Sequence, residues 1–289
     1  MAERSSIEWT DATWNPIVGC SLESPGCTNC YAMRMAGRLE RMGQEVYRGL
    51  TKPTKAGGSV WTGTVRRASN AQLTAPLRWR RPRRVFVNSM SDLFHPDALE
   101  DWIADTFNIM ADAHWHIYQI LTKRSGRMRR VMGGPKRHDL WDARLWHRSV
   151  LPNVWLGVSV EDADRMGRIA DLAATPAALR FISFEPLLGP LGRIPLDGIG
   201  WVIVGEESGP RARPMQDDWV RPIRDQCAAA GVPFLFKQRV LKGRKTSLPE
   251  LDGRRHTSIP DFPWPQPLAS SGPVTVHRSV RQKLLSRQD

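Results

Sequence analysis

Short apolar runs, rich in β-branched and aromatic residues, recur along the chain at residues 85–88, 117–121, 154–160, 180–184, 201–204 and 233–236, each closed by a polar turn. None alternates apolar and polar positions as a strand with one wet face would. Continuous runs of this length predict strands buried on both sides, as in a parallel sheet. A first strand is predicted at residues 14–18. The stretches between the runs carry helical periodicity. Residues 97–113 set Leu99, Ile103, Phe107 and Met110 on one stripe, and residues 161–174 do the same with Met166, Ile169 and Leu172. Residues 217–230 place Trp219, Val220, Ile223 and Cys227 inward and stop at Gly231, a glycine cap. Pro222 is expected near the first turn of that helix, where proline is tolerated. Residues 30–42 predict a helix that ends at Gly43.

Strand and helix in alternation predict βα units and an α/β fold: a full or partial (βα) barrel, with an open doubly wound sheet as the alternative. Residues 44–83, rich in Gly, Thr, Lys and Arg and holding Trp61 and Trp79, interrupt the rhythm and predict an insertion, a β-hairpin or lid. The pattern fades from about Leu241, and residues 265–289 read as a flexible basic tail. The expected organisation is a barrel domain over 1–243, including the insertion at 44–83, and a partly flexible C-terminal extension over 244–289. In a barrel the chemistry sits on the loops that leave the C-terminal ends of the strands. Polar residues gather at those ends: Asn88 to Asp92, Thr122 to Arg124, Ser159 to Asp162, Ser183 to Pro186, Glu206 to Gly209, and Lys237 with Gln238.

Charge changes the picture. The 289 residues carry 42 Lys and Arg against 29 Asp and Glu, a net +13. Such a field attracts polyanions, nucleic acid foremost. The basic residues cluster at Arg78, Arg80, Arg81, Arg83 and Arg84, again from Lys123 to Arg130 with Lys136 and Arg137, and at 242–245 with Arg254 and Arg255. Trp61 and Trp79 on the insertion are candidates for stacking on bases, whereas Trp102, Trp155, Trp201 and Trp219 are expected in the core. No run approaches the length of a membrane helix, and the first residues show no apolar leader. Four cysteines are too few for a disulfide framework, so a cytoplasmic setting is expected.

Three of those cysteines, Cys20, Cys27 and Cys30, are spaced C-x6-C-x2-C among Gly, Ser and Pro. The fourth, Cys227, reads as a small core residue. Three thiols so close point to a metal. A structural zinc would need a fourth ligand, with His95 or Cys227 as the available choices. A [4Fe–4S] cluster held by three cysteines leaves one iron open to S-adenosylmethionine (SAM), whose reductive cleavage releases a 5′-deoxyadenosyl radical.

WNPIVGC, CTNCYA, VFVNSMSDLFH, QILTKR, GVSVED, SFEPLLGPL and GEESGPRARPM occur in that order over residues 5–240. Together they resemble the three-Cys-motif proteins of phages and bacterial genomes, a family that looks like a divergent branch of the radical SAM enzymes. Tyr31 follows the last cysteine, where common radical SAM loops are C-x3-C-x2-C with an aromatic just before it. Glu206 and Arg239 stand where the family often has Gly and Trp. The resemblance implies a radical-SAM-type barrel with a [4Fe–4S] cluster on Cys20, Cys27 and Cys30. SAM offers an ammonium, a carboxylate, a ribose diol and an adenine. Glu185 and Lys123 are the expected catalytic residues, and Ser89, Asp92, Arg124, Ser159, Ser183 and Glu207 are the expected cofactor contacts. The activity implied is a radical SAM enzyme that modifies or repairs nucleic acid, DNA or RNA, fed by a flavodoxin or ferredoxin and with no membrane partner. The alternatives are a zinc-stabilised nucleic-acid-binding protein without catalysis, and a radical SAM enzyme acting on a small molecule or peptide.

Overall fold

The chain opens with strand β1 (Ala12–Trp14), a short β2 (Ile17–Val18) and helix α1 (Tyr31–Arg41). These belong to a computed structural model that describes residues 5–55, 57–134, 150–209, 211–241 and 243–264. The predicted first strand is split. Asn15 and Pro16 end β1, and β2 turns away to pair antiparallel with β5 (Arg66–Arg67). Pro16 has no N–H for the ladder, which is why the strand stops there. Between them lie β3 (Thr51–Pro53) and β4 (Ser59–Trp61), the hairpin expected in the insertion. A short helix α2 (Asn70–Leu73) completes that segment.

The regular part follows: β6 (Arg84–Val87), α3 (Glu100–Asp112), β7 (Ile117–Thr122), α4 (Ser125–Gly133), β8 (Val154–Ser159), α5 (Gly167–Ala173), β9 (Leu179–Phe184), β10 (Trp201–Gly205), α6 (Asp217–Ala229) and β11 (Phe234–Leu241). After it come β12 (Arg244–Ser247), β13 (Glu250–Leu251) and β14 (Arg254–Arg255). One eight-stranded sheet has the order β1-β6-β7-β8-β9-β10-β11-β12, with every neighbour parallel except the last pair. The parallel strands stand in chain order with no reversal point, so the fold is the partial barrel and not the doubly wound sheet. Among the described residues β1 and β12 are free edges and the barrel does not close.

The two faces of the sheet divide the core, as the two-residue period of a strand requires. Val85, Val87, Tyr118, Ile120, Leu156, Val158, Ile182 and Val202 pack under the helices, against Phe107, Met110, Leu172 and Ile223 among others. Trp9, Phe86, Trp155, Phe181, Trp201, Ile203 and Leu235 fill the concave face. Trp155 and Trp201 meet edge to face at 6.0 Å, and Trp9 and Phe86 lie 4.7 Å apart. Burial of each such side chain stabilises by roughly 1.5–3 kcal/mol. This aromatic plug sits low on the concave face. One residue pair further along each strand the same face turns polar, at Asn88, Ser159, Ser183 and Glu185.

Several expectations are corrected. The helix predicted at 161–174 begins only at Gly167, after a 3-10 turn at Ala163–Arg165. Pro222 is the sixth residue of α6, not in its first turn. It sits on the exposed side, so the Asp218 carbonyl it leaves without an N–H faces water. The last parallel strand runs past 236 to Leu241, with Lys237 and Arg239 paired to Glu185 and Asp217, and ends in the β11–β12 hairpin. Residues 243 and 244, where the domain boundary was expected, lie at that hairpin's turn, and the Phe236 amide further along donates to the His256 carbonyl at 2.9 Å. Trp61 and Trp79, expected to stack on bases, are each only 6% exposed. Trp61 packs with Met33, Leu50 and Met90, and Trp79 packs in the main core with Arg83 over its ring at 5.3 Å. Arg80 and Arg81 are exposed but precede β6, so that basic cluster sits at the opposite end of the sheet from the polar rim. Lys136, Arg137, Lys242 and the tail at 265–289 lie outside the described residues.

Gly157 shows how tightly the concave plug is built. A Cβ there would lie 2.5 Å from the Phe181 ring. Gly157→Ala should therefore destabilise the protein by about 1–3 kcal/mol, because the ring is fixed between Trp9 and Trp201. Chemical denaturation of the two proteins checks this.

Candidate active site

The cysteine loop starts at Gly19, which bridges to Ser91 and has φ +89. A Cβ there would fall 2.2 Å from the Thr64 carbonyl, so only glycine fits. The loop then crosses the C-terminal rim of the sheet, makes a 3-10 turn at Pro25–Cys27 and feeds α1, whose N-cap is Cys30. Cys20, Cys27 and Cys30 are all free thiols, partly exposed. Cys20 lies within electrostatic reach of both Cys27 and Cys30. Burial pushes the Cys20 thiol up to about 12, against the opposing pull of Arg124. Burial also raises Cys30, against the amides of Ala32 and Met33. Metal binding must therefore strip protons from these thiols.

Carboxylates that follow alternate strands of the rim, β6, β8 and β10, hold this loop. Asp92 accepts from Phe94 N at 3.0 Å, Thr122 Oγ1 at 2.7 Å, Lys123 N at 3.1 Å and Arg124 Nη1 at 2.9 Å. Arg124 in turn donates to the Ser21 carbonyl at 3.1 Å and the Ser21 hydroxyl at 2.8 Å, and its Nη1 stands 3.7 Å from Cys20 Sγ. Glu161, fully buried, accepts from Gly26 N at 3.3 Å, Arg168 Nη1 at 2.9 Å and Lys123 Nζ at 3.5 Å. Burial pushes its carboxyl up, but Lys123 and Arg168 outweigh that and hold it below the usual range. Gly26 has no room for a side chain, since a Cβ would lie 3.1 Å from the Glu161 carboxyl carbon. Glu207 accepts from Asn29 Nδ2 at 2.9 Å and from Arg213 N and Nε at 3.0 Å each, and Arg213 Nη2 reaches the Pro25 carbonyl at 2.9 Å. Burial raises Glu207 too, and its bonds to Arg213 and Asn29 bring it below the usual range.

The other predicted residues fall into two groups. Ser89 donates to Asn15 Oδ1 at 3.2 Å and accepts the Tyr31 hydroxyl on its carbonyl at 2.9 Å, which ties α1 to the turn after β6. Ser159, Ser183 and Glu185 line the polar end of the concave face. Glu185 is ion-paired with Lys237 of β11, two strands away. The carboxylate lies over Gly205 of the strand between, where a Cβ would come within 3.2 Å of it. Among the described residues the buried hydroxyl of Ser183 has no partner, and neither has either end of the buried Asn88 carboxamide. Buried polar groups without partners are uncommon and cost about 1–3 kcal/mol each.

Those orphaned groups, together with three soft thiols on one loop, fit a cofactor that joins a thiolate-held cluster to a polar nucleoside. Among the described residues no three His, Cys, Asp or Glu side chains converge on one point, so a metal ion and a cluster alike would need the cysteine loop to close around them. Of the two fourth ligands considered, His95 has both ring nitrogens engaged: Nδ1 accepts from Asp97 N at 3.2 Å and Nε2 donates to Ser21 Oγ at 2.8 Å. Cys227 is buried in α6 within the helix-side core.

Sequence reasoning missed Lys237 as the partner of Glu185, Asn88 as an orphan, and Glu161, Arg168, Asn29 and Arg213 as loop anchors. The polar clusters at the strand ends held Lys237, Asn88 and Glu161, but nothing local distinguished a tether from a ligand contact, and Arg168, Asn29 and Arg213 lay outside them.

A family model described as a protein of unknown function (DUF5131) matches residues 4–260. Among curated proteins nothing matches. Among solved structures, spore photoproduct lyase complexed with dinucleoside spore photoproduct is 13% identical, with a TM-score of 0.37, over 80% of this chain and 66% of that one. This chain thus spans just under two thirds of the lyase. The resemblance is distant.

The anchoring has a direct test. Glu161→Gln leaves Arg168 and Lys123 without their buried counter-charge, and should cost about 3–5 kcal/mol of stability. Freed from Glu161, the loop should expose its thiols, so the alkylation rate of Cys20, Cys27 and Cys30 should rise severalfold under native conditions. An unchanged rate would mean that the carboxylate does not hold the loop.

Proposed function

The chain belongs to the DUF5131 family, whose function is unknown, and we propose that it is a radical SAM enzyme acting on nucleic acid. One observation carries this reading: a loop with three free thiols is fixed across the C-terminal rim of a parallel partial barrel, above a concave face that ends in unpartnered polar groups. That is the end of such a sheet where ligands bind. Cys20, Cys27 and Cys30 would hold a [4Fe–4S] cluster once the loop closes around it. When bound, the cluster and SAM supply a one-electron reduction that yields a carbon radical able to abstract an unactivated hydrogen.

The chain's own residues bind and orient. Glu185, balanced by Lys237, offers a carboxylate to an ammonium or a ribose diol at the polar end of the face. Asn88 and Ser183 offer the hydrogen bonds they lack in the free protein. Ser159 lies at the same level on β8. Lys123 is drawn toward Glu161 and can turn to a carboxylate on the same rim. Glu207 is bonded to the loop at Asn29, and Asp92 holds Arg124 against Ser21, so in this reading Asp92, Arg124 and Glu207 act as positioning residues. Arg124 also sets a fixed positive charge beside Cys20, which favours its thiolate. The plug of Trp9, Trp155, Phe181 and Trp201 closes the bottom of the face to water. The net charge of +13 supports a polyanionic substrate.

Anaerobic reconstitution with iron and sulfide tests the proposal. The protein should take up about four irons per chain and form 5′-deoxyadenosine with dithionite and SAM. Cys27→Ser should lose both while still binding an oligonucleotide. A variant that still cleaves SAM, or a wild-type protein that takes up about one zinc and no iron, would contradict the assignment.

A further inference from the structure

Two cavities flank the cysteine loop, and arginines line both. The first, about 690 Å³, opens between the loop, the turn after β6 and the first turn of α4. Three of its cations have counter-charges: Lys123 and Arg168 share Glu161, and Arg124 is on Asp92. The other three, Arg127, Arg130 and Arg165, have no carboxylate within ion-pair distance among the described residues. Arg127 spends one nitrogen on the Ala98 carbonyl at 2.6 Å, and its Nη1 is buried with no partner among the described residues. Among the described residues the only acid in the wall is Glu23, which stands 3.7 Å from Arg124 Nε. Ser125 and Gly126, the first residues of α4, also line it, so the positive end of the helix faces the same space.

The second cavity, about 460 Å³, borders the other side of the loop, at Asn29 and Cys30. Arg34, Arg41 and Arg211 supply its charge, and among the described residues no carboxylate lines it. Guanidinium forks match phosphate oxygens, and a buried fork with a free N–H is an unfilled half of such a pair. A small anion would need only one of these cavities. A chain of phosphates can use both, and one that does so passes over the cysteines between them.

We propose that the two cavities bind phosphates of a single nucleic-acid strand, which holds a nucleotide of that strand across the cysteine loop. This inference rests on the nucleic-acid reading above and names the groups that would recognise the strand.

The test uses the reconstituted full-length protein and a fluorescent single-stranded oligonucleotide, titrated by anisotropy over a range of salt. Arg130→Glu with Arg165→Glu alters the first cavity, and Arg41→Glu with Arg211→Glu the second; Arg41, Arg130 and Arg211 are exposed and Arg165 is partly exposed, and circular dichroism checks that each variant folds. Each pair should weaken binding roughly tenfold or more and lower the log–log salt slope by about one to two. Arg80→Glu with Arg81→Glu, at the far end of the sheet, should have little effect. The proposal is overturned if either cavity pair binds like the wild type, or if the far-end pair weakens binding as much, since diffuse charge would then explain it. It is also overturned if inorganic phosphate at a comparable concentration displaces the oligonucleotide, because the cavities would then be sites for the free anion. SAM cleavage without substrate should be unchanged in the far-end variant. Wild-type protein that binds the strand but never cleaves SAM would sink the radical reading and leave the strand path standing.

Discussion

Everything at the rim depends on buried carboxylates that reach the cysteine loop. The loop has little core of its own: Gly19, Ser21, Ser24, Pro25 and Gly26 bury almost no apolar surface. It needs polar tethers that do not move. Asp92 grips its start through Arg124, Glu161 its middle at Gly26, and Glu207 its end at Asn29. Each acid is itself paired with an arginine, so the cost of burying charge is offset by several bonds at once. The strands carry these acids past their last apolar residue, where the sheet ends and side chains can reach over the top.

The same strands explain what lies beneath the loop. Their concave positions are aromatic low down and polar one step higher. The aromatic layer makes a dry floor, and the polar layer leaves Asn88 and Ser183 unsatisfied beside the Glu185–Lys237 pair. Gly157 and Gly205 let this happen. The first gives space to the Phe181 ring, and the second lets Glu185 lie across β10 toward Lys237. A floor, a set of open hydrogen-bonding groups and a thiol loop above them form one coherent site on the face where βα folds place chemistry.

The strands and their polar ends were legible in the sequence because burial on both faces leaves an unbroken apolar run. The thiol loop was legible because C-x6-C-x2-C among Gly, Ser and Pro has few structural uses. What failed was whatever depends on a distant partner. Asp92 and Glu207 look like free acids until Arg124 and Arg213 are seen against them. Trp61 and Trp79 sit in a polar, basic stretch, yet small clusters and the main core absorb both. Lys237 follows an apolar run as a surface lysine would, but a bulge between β10 and β11 falls at its position and Glu185 meets it. The single break in the first strand is visible only as Pro16, and its consequence is a second pairing with β5.

The most direct measurement is Mössbauer spectroscopy of protein reconstituted with iron-57, with and without SAM. The account predicts a cubane cluster of about four irons in which one iron changes its spectrum when SAM is added, while the three held by Cys20, Cys27 and Cys30 do not. A cluster that ignores SAM, or no cluster at all, would contradict it.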